Sequence, residues 1–98
     1  MIVYLLRQEG TDIFKVGITK DIKQRVKSLQ TGCSNKIEVY KVFESENASR
    51  LEATIHNLWT HKKIMNEWFN LIEGEEFKFI ELCSKLESSL NYIKNNKI

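Results

Sequence analysis

Two short β-prone runs with only five polar residues between them constrain this chain more than any other feature. Ile2–Arg7 and Ile13–Thr19 flank the segment Gln8-Glu9-Gly10-Thr11-Asp12. A connection this short, with a glycine in it, closes a β-hairpin and leaves no length for a helical crossover. Strand alternation then sorts the side chains. Val3, Leu5, Phe14, Val16 and Ile18 share one face, while Tyr4, Lys15 and Gly17 fall on the other.

The rest of the chain alternates helical and extended patterns. Thr19 is placed to cap a helix running from Asp21 to about Leu29. Ile22, Val26 and Leu29 form its apolar stripe, with Arg25 beside that stripe. Lys36–Glu44 reads as a third strand. Ser45 or Asn47 caps a second helix reaching about Lys62, with Ala48, Leu51, Ile55 and Leu58 facing the core. Glu52, His56 and Trp59 form an adjacent line on that helix. Ile64–Leu71 reads equally as strand or loop, with Trp68 and Phe69 expected in the core. A last helix from about Glu75 to Asn95 carries Phe77, Ile80, Cys83, Leu86, Leu90 and Ile93 on one face. The tail 94–98 is expected to fray. The expected fold is a single α/β domain over residues 1–98 in the order ββαβα, then α. Its core would be a small three-stranded antiparallel sheet flanked by about three helices.

Composition excludes several classes. The 98 residues are 42% hydrophobic and 29% charged, a profile that supports one folded core and argues against disorder. The sequence has no apolar run long enough to span a membrane, and its start is too short for a secretion signal. An intracellular location, with no membrane partner, is the expectation. Cys33 and Cys83 form no CxxC pair. His56 and His61 are five residues apart, off a common helix face, so zinc is not expected. The net charge of +2 is uninformative, but its distribution is not. Residues 1–45 carry eight Lys/Arg against five Asp/Glu, and residues 46–98 carry seven against eight. Lys20, Lys23 and Lys27 lie within the densest basic stretch and are the candidate nucleic-acid contacts.

The polar residues that propensity does not explain are Tyr4, Lys15, Arg25 and Glu52. Alternation and helix placement let a phenol, an ammonium, a guanidinium and a carboxylate converge over the sheet, with Gly17 leaving space beside them. These types suit phosphodiester hydrolysis. An arginine fork matches a phosphate, and a carboxylate with several waters holds a divalent cation such as Mg²⁺ or Mn²⁺. A tyrosine can accept a proton from water only as phenolate. With an ordinary pKa of ~10 that is about one molecule in a thousand at neutral pH, so a nearby positive charge is needed. Lys15, or a metal-bound water beside the ring, is the expected source of that push.

Order and spacing add a family likeness. Ile2-Val3-Tyr4, then Phe14-Lys15-Val16-Gly17-Ile18-Thr19, then Arg25, Leu51-Glu52 and Glu67-Trp68-Phe69, resemble the GIY-YIG endonuclease superfamily. The likeness is to its small phage and viral branch, with a K-[IV]-G-x-T second motif and a WF pair. It spans roughly residues 2–71. The resemblance implies metal-dependent endonuclease cleavage of DNA, with RNA also open. It implies Tyr4 as general base, Gly17 as motif glycine, Arg25 as phosphate ligand and Glu52 as metal ligand. Lys15 stands where the family's second tyrosine usually does. It would tune Tyr4 or contact the phosphate. Ile2 replaces a glycine, and Leu29 stands where many members have a histidine. His56 is the auxiliary candidate in its place, and Asn66 or Asn70 for a late asparagine. A monomer is favoured over a homodimer, with a partner protein open as the source of specificity. Two other readings remain. One is a non-catalytic nucleic-acid-binding or adaptor module on the same fold; the other is a protein-interaction domain.

Overall fold

The hairpin forms as its connection dictates, and everything else is laid on its two faces and two edges. The computed structural model describes residues 1–96. In chain order the elements are β1 (Ile2–Gln8), β2 (Ile13–Thr19), α1 (Ile22–Gln30), β3 (Ile37–Glu44), α2 (Ala48–Leu58), β4 (Lys63–Met65), β5 (Trp68–Asn70) and α3 (Phe79–Asn95). The class is α/β, but the sheet has five strands rather than three. They run antiparallel in the order β3-β1-β2-β5-β4. The segment left open between strand and loop is a small hairpin that pairs with the free edge of β2. Its turn is the two residues Asn66-Glu67, between the paired Met65 and Trp68. Asn66 has φ +53°, and asparagine tolerates this left-handed conformation better than most residues.

Alternation in β1 and β2 builds two cores. Val3, Leu5, Phe14 and Val16 pack against Ala48, Leu51 and Ile55 of α2 and Phe79 and Cys83 of α3. Tyr4, Leu6 and Ile37 pack on the opposite face beneath Ile22, Val26 and Leu29 of α1, with Trp68 alongside. Phe69 is fully buried in the first core. Each helix therefore covers a different part of the sheet, and β2 lies between both layers.

Several boundaries differ from expectation for local reasons. Asp21, not Thr19, caps α1, because its carboxylate reaches the Gln24 amide at 3.1 Å. Asn47 occupies the cap of α2, held by Ser45 Oγ, which accepts from its amide at 2.8 Å. The Asn47 side chain instead donates to Glu87 and Asn91 of α3, and Ser45 donates to Glu87 as well. Helix α2 stops at Leu58, which is half exposed, and Thr60–Lys62 form a 3₁₀ turn. A second 3₁₀ turn, Glu75–Lys78, precedes α3. The helix buries Phe79 and Cys83, with Leu86 and Leu90 packed as their spacing predicts. Ile80, one residue on, turns outward, and Phe77 is 79% exposed on the 3₁₀ turn. Ile93 falls beyond the last packed residue and is exposed. The expected frayed tail is helical at Lys94 and Asn95, and Asn96 bonds back to Tyr92. Its last two residues, 97 and 98, lie outside the described residues. Among the described residues, no helix is long and apolar enough to cross a membrane.

The two thiols differ in environment. Cys83 is buried, and burial pushes its thiol up to about 12, with the Glu87 charge adding to the shift. Cys33 is partly exposed in the α1–β3 loop. A thiolate is the reactive form. An aromatic-disulfide reagent at mildly alkaline pH should therefore find one fast thiol, Cys33, and reach Cys83 only on unfolding. Two fast thiols in native protein would contradict this burial.

Candidate functional site

Tyr4 is the centre of the second face. It stands opposite Gly17 in the β1–β2 ladder and is fully buried. Its ring lies directly over Gly17. A Cβ at that position would overlap the Tyr4 hydroxyl and Cζ and sit 2.9 Å from Cε1. Any side chain there would displace the ring. Helix α1 delivers Arg25 from beside its apolar stripe, and Arg25 Nε donates to the Tyr4 hydroxyl at 3.1 Å. Burial pushes the Tyr4 phenol above its ordinary range; the Arg25 hydrogen bond and charge oppose that shift without cancelling it. Arg25 in turn is shifted up by the same bond. At neutral pH the pair is a neutral phenol and a guanidinium.

Lys15 is turned to Glu67 rather than to Tyr4. It is 5% exposed, and its ammonium donates to Glu67 Oε2 at 2.6 Å. It also lies 5.7 Å from the centroid of the Trp68 ring, a cation–π distance. Its charge goes to Glu67, whose carboxyl is held below its ordinary range by the Lys15 hydrogen bond. The Tyr4 phenol stays above its ordinary range. Glu67 is the residue that reasoning from single positions overlooks, since it figured above only as part of a motif. One signal could have found it: a two-residue turn at Asn66-Glu67 sets Trp68 against Lys15 and leaves Glu67 one residue away.

Glu52 is half-buried on α2, which packs against β2. Strand β5 pairs with β2 only from Ile13 to Lys15, so the edge beyond is unpaired by strand. There His56 Nε2 donates to the Val16 carbonyl at 2.8 Å, which fixes the protonated nitrogen. The His56 ring also meets Phe69 edge-on, with centroids 5.2 Å apart. His56 thus docks α2 on β2, one turn from Glu52. No ion pair among the described residues engages the Glu52 carboxylate. Burial raises its carboxyl above the ordinary range; His56, Lys15 and Arg25 pull down and Glu67 pushes up. Tyr4 feels both carboxylates. Tyr4, Lys15, Arg25, Glu52 and Glu67 therefore form one electrostatic cluster.

The remaining candidates are placed differently. Lys20, Lys23 and Lys27 are exposed, the last two one turn apart on α1. Asn66 is exposed at the hairpin tip, where its turn conformation accounts for it. Asn70 is exposed at the end of β5. Cys33 packs on the α1 side of the sheet, whereas His56 sits on α2. Among the described residues no three His, Cys, Asp or Glu side chains are grouped to hold a metal. A lone half-buried carboxylate fits a hard cation that keeps most of its waters, as Mg²⁺ does, and does not fit a closed zinc site.

No curated protein and no solved structure matches the chain. A protein-family model, described as the T5orf172 domain, matches residues 1–87. That span holds every strand among the described residues, α1 and α2, and all five residues of the cluster, so the chain belongs to the T5orf172 domain family.

Proposed function

We propose that this protein is a metal-dependent endonuclease of the GIY-YIG type that hydrolyses phosphodiester bonds in DNA. The observation that carries the reading is the Arg25–Tyr4 hydrogen bond together with a half-buried Glu52 that no ion pair among the described residues engages. The association of T5orf172 domains with phage-type nucleases supports it. Arg25 spends only its Nε on Tyr4 among the described hydrogen bonds, so its two terminal nitrogens remain to fork a phosphate. Tyr4 orients that fork and, hydrogen-bonded to it, is placed for proton transfer. Glu52 would hold Mg²⁺ or Mn²⁺. Such a cation supplies positive charge against the phosphate and lowers the cost of ionising water or phenol nearby. Lys23 and Lys27 on α1, with Lys20 just before it, offer exposed positive charge for the backbone of the duplex.

One observation favours a second reading, a nucleic-acid-binding module without catalysis. Burial keeps the Tyr4 phenol protonated at neutral pH. Supercoiled plasmid separates the two. The endonuclease reading expects nicked circles before linear product, because one site cuts one strand, with Mg²⁺ or Mn²⁺ and not with EDTA. Removing one preorganised charge-stabilising donor costs about 3–4 kcal/mol. Arg25→Ala should therefore slow cleavage by about a hundred- to a thousandfold with plasmid still bound. Salt-sensitive binding with intact plasmid under every metal condition would replace the nuclease with the module.

A further inference from the structure

The Lys15–Glu67 pair is not built like an ordinary surface ion pair. The Lys15 side chain is only 6% exposed, while that of Glu67 is 46% exposed. The pair joins a buried ammonium to a carboxylate side chain that solvent reaches, so an anion that takes the place of Glu67 meets Lys15. An ammonium taken out of water needs a counter-charge at close range. Glu67 supplies it from a two-residue turn, next to Asn66 in its left-handed conformation. A turn residue can swing its side chain without breaking a strand ladder.

The surroundings are those of an anion site. Lys15 is on the same sheet face as Tyr4, one pleat along β2 from Gly17, against which Tyr4 stands. The Glu67 charge acts on Arg25 and Tyr4 as well as on Lys15. Two cations, Arg25 and Lys15, thus flank the buried tyrosine, one bonded to a neutral phenol and one masked by a carboxylate. Nucleic acid presents phosphates in series, so a chain seated on Arg25 brings a neighbouring phosphate towards Lys15.

We propose that Lys15 forms a second phosphate subsite beside the Tyr4–Arg25 pair, and that the Glu67 carboxylate fills it until a backbone phosphate of the nucleic acid displaces it. Glu67 is then an intramolecular competitor. It keeps the buried ammonium compensated when no substrate is bound and makes binding weaker than the site's cations alone would give. This rests on nucleic acid being the ligand of this face, as read above, but not on cleavage.

The test is equilibrium binding of a short fluorescein-labelled DNA duplex in EDTA, across a salt series, so that no turnover intervenes. Glu67→Gln should bind about five- to tenfold tighter than wild type, with a similar log–log salt slope, because one phosphate meets Lys15 in both complexes. The exposed Glu46→Gln makes the same change in net charge away from the site and should show no such gain. Lys15→Met in the Glu67→Gln background should erase the gain. Glu67→Asp keeps the charge but retracts it from Lys15, and should tighten binding by a smaller factor. That variant carries the comparison should Glu67→Gln fail to fold. Binding no tighter than that of Glu46→Gln overturns the subsite, as does a gain that survives Lys15→Met or the absence of binding by every variant. A Glu67→Gln gain in a protein that never cleaves would uphold the subsite and remove the nuclease. Cleavage by wild type with no such gain would do the reverse.

Discussion

Replacing Glu52 with glutamine should abolish metal-dependent cleavage and, at neutral pH, make the protein more stable. The two effects share a cause. Helix α2 holds the Glu52 carboxylate partly out of water, and no ion pair among the described residues compensates it. Burial therefore raises its pKa, with Glu67 adding to that shift and His56, Lys15 and Arg25 opposing it. A carboxyl whose folded pKa lies above its unfolded value binds its proton more tightly in the folded state. The corresponding stability is full below the unfolded pKa and is lost as pH rises through the folded one. At neutral pH the ionised carboxylate is a net cost, which glutamine removes at nearly constant shape. The melting temperature of Glu52→Gln should exceed that of wild type at neutral pH. The gap should close as pH falls through Glu52's raised range towards the ordinary carboxylate range. Cleavage should meanwhile drop by more than about a thousandfold, because several kcal/mol of charge stabilisation disappear with the metal ligand. A Glu52→Gln protein that cuts plasmid at the wild-type rate would end the assignment of Glu52 to the metal. One that melts earlier at neutral pH would mark Glu52 as a structural residue. Stability gained where activity is lost is the pattern expected of a group kept for its chemistry.

The sheet faces were legible because a seven-residue strand repeats its alternation often enough to be read. Tyr4, Lys15 and Gly17 fall together on the face opposite Val3, Leu5, Phe14 and Val16, as alternation required. The stripe of α1 and the placing of Arg25 beside it followed from helical spacing alone. What escaped was set by shorter or more distant features. Strands β4 and β5 have three residues each, too few to display a period. Their pairing with β2 decides the partner of Lys15, which lies 52 positions away. Without Glu67 in view, Lys15 looked free to act on Tyr4. The stripe of α3 holds at Cys83, Leu86 and Leu90, but the 3₁₀ turn before the helix changes the rotation per residue, so that Phe79 rather than Phe77 or Ile80 anchors its start. The ionisation of Tyr4 depends on how deeply it is buried, which a residue's type does not encode.

Gly17→Ala should cost both stability and cleavage, and comparison with Gly10→Ala shows why the two losses are linked. Gly10 has φ +76° with open space where a Cβ would go, so alanine there meets only backbone strain, about 1 kcal/mol. Gly17 has no such conformational demand. Its missing side chain is room for the Tyr4 ring, and the first atoms a Cβ meets are the hydroxyl, Cζ and Cε1. These belong to a fully buried ring on a paired central strand, so neither side can yield cheaply. Overpacking of this kind costs about 1–3 kcal/mol, read as a lowered urea midpoint. Any relief comes from moving the ring, and the ring's hydroxyl is what receives Arg25 Nε. Cleavage by Gly17→Ala should therefore fall about as far as that by Arg25→Ala, whereas Gly10→Ala, though destabilised, should cut normally once folded. Adding Tyr4→Phe to Gly17→Ala removes the hydroxyl that clashes. It should recover part of the stability and none of the activity. Full cleavage by a folded Gly17→Ala protein would mean that the Tyr4–Arg25 geometry is not what positions the phosphate. Recovery of stability without activity in the double variant would tie the space over Gly17 to the orientation of Arg25.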